Sequence, residues 1–108
     1  MSLDIEERDW KVLRELKQIA LDRFCAQVLE ECTRVITDKA IGAHDRYLRV
    51  CEIVHERDRK LADTFNGLRR STAFFTLMAI RNLGLLTGDE FDRFTPELRD
   101  RIDGALSL

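Results

Sequence analysis

The stretch LADTFNGLRRSTAFF, Leu61 to Phe75, decides the fold of this chain. Asn66-Gly67 inside it is a common turn or helix stop. Yet the apolar line Tyr47, Cys51, Val54, Asp58, Leu61, Phe65, Leu68, Thr72, Phe75, Ala79 keeps its helical spacing straight through the pair. A stop ordinarily resets the phase. The spacing therefore predicts one helix over about residues 43–83, bent or broken at Asn66-Gly67, and roughly 60 Å long if continuous. A full break there predicts a compact up-down-up bundle instead.

Upstream of that stretch, a first helix is expected over about 4–38. Its inner stripe is Trp10, Leu13, Leu16, Ala20, Phe24, Val28, Cys32, Val35, an amphipathic face. Asp4 with Glu7 has the form of a capping box, and Glu7–Lys11 and Glu30–Arg34 have the spacing of supporting pairs. Thr37 to His44, containing Gly42, ends one periodicity before the next begins. So short a connection makes the two long helices antiparallel neighbours.

Downstream, Gly84 follows the last periodic residue and suits the left-handed conformation that closes a helix. Thr87-Gly88-Asp89-Glu90 reads as a capping box. It opens a short helix over about 88–94, with Phe91 and Phe94 on one face. Thr95-Pro96 is a second start signal, for a helix over about 96–106 that turns Leu98 and Ile102 inward. The string Leu83-Gly84-Leu85-Leu86-Thr87 with Glu90-Phe91 resembles a Gly-Leu-Leu-Thr-x-x-Glu-Phe corner of short bacterial C-terminal helical modules. Capping physics produces the same corner in unrelated proteins. The fold class expected is all-α: a long antiparallel helical hairpin capped by two short C-terminal helices.

Composition agrees. The chain has 108 residues, 44% hydrophobic and 35% charged, with one Pro and five Gly. That is one helical domain, 1–108, with too much apolar content for a disordered chain. The net charge of −2 lacks the positive field of a protein that lives on phosphate backbones. The longest apolar run, Ala73 to Ile80, is far short of the roughly 20 residues a membrane span needs. No basic-then-apolar leader opens the chain, so a cytoplasmic protein is expected. Cys25, Cys32 and Cys51 are an odd number without a disulfide framework and are read as reduced thiols.

Chemistry has few places to sit. Cys51-x-x-x-His55 puts two soft ligands one helical turn apart, and Cys32 falls roughly opposite Cys51 in a hairpin. No Cys-x-x-Cys or His-x-x-x-His supplies a fourth ligand, so no cofactor is expected and a metal site at Cys51 and His55, with Cys32, stays the last of the alternative readings. His44-Asp45 and His55-Glu56 are sequence neighbours that do not face each other on a helix. No phosphate loop, nucleophile elbow or zinc-protease signature occurs, and the chain is read as non-catalytic. Arg57, Arg59, Lys60, Arg69 and Arg70 form two basic clusters with acids beside them. They read first as a solvated face and second as an anion or nucleic-acid groove. Asp58 is a lone acid in the second stripe, where pairing or a solvent gap is required. Single polar seam residues of this kind fix register or partner in coiled coils.

Ala73 to Leu83 is apolar nearly all round, and a helix apolar on every side must be buried on every side. With a continuous second helix, one flank stays open and a two-fold dimer is the simplest cover. The sequence therefore predicts a module acting by self-association, as a homodimer, or by binding a helical protein partner. Phe74, Phe75, Leu77 and Met78 are the expected anchors, with Arg69 and Arg70 at the rim. With a broken second helix, ordinary core packing accounts for the same segment.

Overall fold

The computed structural model describes residues 4–108; the reading of the chain's first residues for a leader falls partly outside them. Five α-helices follow one another: α1 (Glu7–Ile36), α2 (Ala43–Phe65), α3 (Ala73–Asn82), α4 (Gly88–Phe91) and α5 (Pro96–Leu106), with a 3-10 turn at Arg70–Thr72. The described residues contain no strand. The fold is all-α, α1 and α2 pack together as the expected hairpin, and two short helices close the chain.

The second helix stops where Asn-Gly says it should. Asn66 leaves the helix in an extended conformation (φ −75°, ψ 143°), and Gly67 follows at φ 71°. A Cβ is strained at that positive φ, so glycine makes the reversal easily. The continuous helix over 43–83 is thus corrected to two helices separated by residues 66–72. The apolar phase survives the break because Leu68, in the loop, still packs against the core.

The start signals downstream are present as read. Thr87 Oγ1 accepts from the Glu90 N–H at 3.1 Å while the Glu90 carboxylate accepts from the Thr87 N–H at 2.8 Å. Thr95 caps α5, whose first residue is Pro96, and Gly84 sits at φ 69°. The N-cap of α1 is Glu6 and not the predicted Asp4, and the Glu6 side chain makes no capping hydrogen bond. Glu7 instead meets Arg70 at 2.6 Å, pinning the turn after α2 to the start of α1.

The apolar interior is concentrated at one end. Leu13, Leu16, Ala20 and Phe24 of α1 meet Phe65, then Phe74, Leu77 and Ile80 of α3, Phe91 and Phe94, and Leu98 and Ile102 of α5. Each Leu, Ile or Phe among them, fully buried, is worth about 1.5–3 kcal/mol. Arg81 lies 4.0 Å over the Phe91 ring and 3.6 Å from Asp103, closing α3 onto its neighbours. Beyond Phe24, α1 has only α2 beside it. The result is a base of helices from which the α1–α2 hairpin extends as an arm, within 53 × 27 × 25 Å. The radius of gyration is 16.8 Å, against about 13 Å for a compact chain of this length.

Candidate functional site

The arm is the region whose side chains the fold leaves least satisfied. Along it, Cys32 and Ile53 are buried, and Val28, Val35 and Val50 are half-buried between the helices. The inward line of α2 is Arg46, Val50, Ile53, Arg57, then Thr64 and Phe65. Over residues 46–58 it is not the line singled out in the sequence, which it rejoins at Phe65. Tyr47, Cys51, Val54 and Asp58 are all exposed, one position round the helix from the buried line. Both lines carry helical spacing and similar apolar content, and α1 covers the other one.

That outer line meets a matching one on α1. Leu29 is 67% exposed and Ile36 51%; Tyr47 is 66% and Val54 50%. Leu29 and Ile36 are two turns apart on α1, as are Tyr47 and Val54 on α2, so each pair shares a face. Ile36 and Tyr47 line one shallow groove with Ala43, Arg46 and Val50 near the tip. Leu29 and Val54 line a second, nearer the base, with Cys25, Val28 and Asp58. The four side chains form one apolar strip along the arm.

Charges bracket it. Arg57 reaches across the hairpin to both carboxylate oxygens of Glu31 at 3.0 Å, and Arg34 and Arg49 pair with Glu30 and Glu52 on their own helices. Arg46, at the tip end, donates to the Ile36 carbonyl at the end of α1, and its Nε is covered without an acceptor. Asp58 lies at the base end. Neither Arg46 nor Asp58 makes an ion pair among the described residues.

The residues expected as anchors are distributed differently. Phe74 and Leu77 are interior to this chain's own core, and Met78 is half-buried against it. Phe75 is 51% exposed, its ring edge-on to Phe74 at 5.7 Å. The break at Asn66 turns α3 back onto α1 and α5, so the flank that was expected to stay open is largely covered. Arg70 is held by Glu7 and the Ile5 carbonyl, while Arg69 is exposed. Of the other cations in the basic clusters, Arg57 is neutralised by Glu31, and Arg59 and Lys60 are exposed.

Cys32, Cys51 and His55 do not converge. Cys32 is buried between the helices while Cys51 and His55 face solvent, and no group of three metal-ligating side chains occurs among the described residues. No helix of the described residues is long and apolar enough to cross a membrane.

Two polar clusters missed by sequence reasoning hold the base together. Asp9 is 1% exposed and accepts from the Thr95 N–H at 2.9 Å and the Thr95 hydroxyl at 2.7 Å. It ties α1 to the first turn of α5. Its signal was its place in the series Asp9, Leu13, Leu16, Ala20, which is the better inward line than the one beginning at Trp10. Arg23 donates to both oxygens of Glu90 and to the Leu85 carbonyl, clamping α1 to the corner before α4. The Arg23 hydrogen bonds, then the Thr87 N–H, hold the Glu90 carboxyl at about 2, below its ordinary 4.5. These two clusters are structural.

Comparison of the chain with protein-family models, with curated proteins and with solved structures gave no match.

Proposed function

We propose that this chain is a non-catalytic cytoplasmic association module whose working surface is the arm, laid against another helix. The observation that carries the reading is the strip of Leu29, Ile36, Tyr47 and Val54, each at least half exposed on one face of a projecting hairpin. Apolar patches of a few hundred Å² on soluble proteins are often interaction sites. Leu and Ile with a central Tyr are suited to helix-in-groove or bundle packing. The base supplies its own core, so the apolar identity of the strip is not needed for folding.

The test is Leu29→Glu combined with Val54→Glu. Both sites are exposed, so helical content should hold and monomer stability should change by no more than about 0.5 kcal/mol per site. Sedimentation velocity should show wild-type protein associating as concentration rises and the double variant remaining at 12.6 kDa. Equal sedimentation of the two proteins across that range would overturn the reading.

A further inference from the structure

The strip is self-complementary, and this points to its occupant. Of the charged side chains that line its two grooves, Arg46 at the tip end and Asp58 at the base end make no ion pair among the described residues, whereas Arg57 is held by Glu31. Arg34, Arg49 and Arg57 of the arm already have carboxylates, and Arg59, which has none among the described residues, lines neither groove. Between the two charges lie Tyr47, Cys51 and Val54, all exposed. A second copy laid parallel would put like charge on like, with Arg46 against Arg46 and Asp58 against Asp58. A second copy turned end for end about a two-fold axis puts Arg46 of each on Asp58 of the other. The midpoint of that register falls next to Cys51. Closed two-fold pairing of this kind is the commonest form of self-association, because one patch serves both partners.

We infer that the arm's strip is covered by the arm of a second copy, antiparallel and tip to base, in a four-helix bundle whose register is set by two reciprocal Arg46–Asp58 pairs. This rests on the association reading above and adds its partner, orientation and register. The apolar side chains supply the attraction. The charges, at the two ends, select the antiparallel arrangement over the parallel one, as opposed charges do in helical bundles. Arg46 keeps its bond to the Ile36 carbonyl, which leaves other N–H groups of the guanidinium for the partner's carboxylate.

The test exploits reciprocity. Arg46→Glu places two acids together at each end of a self-paired dimer, and Asp58→Arg places two cations there. Each variant alone should associate at least about tenfold more weakly than wild type. Mixed in equal amounts, they should form a heterodimer with both end pairs restored, recovering most of the lost affinity. Local damage from losing the Ile36 contact is present in the mixture too, so recovery reports pairing between copies. In addition, a short bis-maleimide should join Cys51 of one wild-type copy to Cys51 of the other. A dimeric wild type whose variants do not rescue each other, or that lacks the Cys51–Cys51 link, overturns this arrangement and leaves the association reading standing. A wild type that stays monomeric at millimolar concentration overturns both.

Discussion

Asp9 ties the start of α1 to the start of α5. Its carboxylate is buried and takes two hydrogen bonds from Thr95, whose hydroxyl in turn accepts from the Leu98 N–H at 3.5 Å. Asp9→Ala strips two half-buried Thr95 donors of their buried acceptor, and a donor left unsatisfied out of water costs about 1–3 kcal/mol. Urea unfolding should show a loss in that range, with Asp9→Asn retaining part of it because an amide oxygen still accepts. A loss below a few tenths would mean that Thr95 finds water instead. Glu90 gives a pH signature. Its folded value of about 2 lies below the ordinary 4.5, so its contribution is complete above about 4.5 and is lost as pH falls towards 2. Acid titration of stability should be steeper in wild type than in Glu90→Gln over that window, and coincident curves would refute the clamp.

At the scale of elements, what the sequence made legible was local and what it hid was relational. Capping at Thr87 and Thr95, the left-handed Gly84 and the inner stripe of α1 are set by neighbours within a turn or two, and all were readable. The break at Asn66-Gly67 was signalled by composition and masked by periodicity, since Leu68 and Phe65 face the same core on either side of it. The orientation of α2 was readable at its base end, through Leu61 and Phe65, and not along the arm. It bears two adjacent lines, one through Val50 and Ile53 and one through Tyr47, Cys51 and Val54, and only the position of α1 selects between them. The arm's strip was hidden for the same reason: a residue that reads as core is exposed only if no neighbour arrives. Gly67→Ala tests the break. Holding a Cβ in the left-handed region costs about 1–2 kcal/mol, so the variant should lose about that much in chemical denaturation, with α2 still ending at the same place. No loss would mean that the turn does not require a left-handed residue at 67.

At the scale of the whole molecule, the chain divides its apolar residues unequally. The base resembles an ordinary small core, whereas the arm buries Cys32 and Ile53 and leaves Leu29, Ile36, Tyr47 and Val54 in water. Local stability follows buried contact density, so an isolated arm should open more readily than the base, and a second helix against the strip should suppress that opening. Amide hydrogen exchange as a function of protein concentration tests this directly. Amides over residues 25–36 and 47–58 should become more protected as concentration rises, while those around Leu13, Leu77 and Ile102 stay unchanged. Arm exchange independent of concentration, up to millimolar protein, would contradict it.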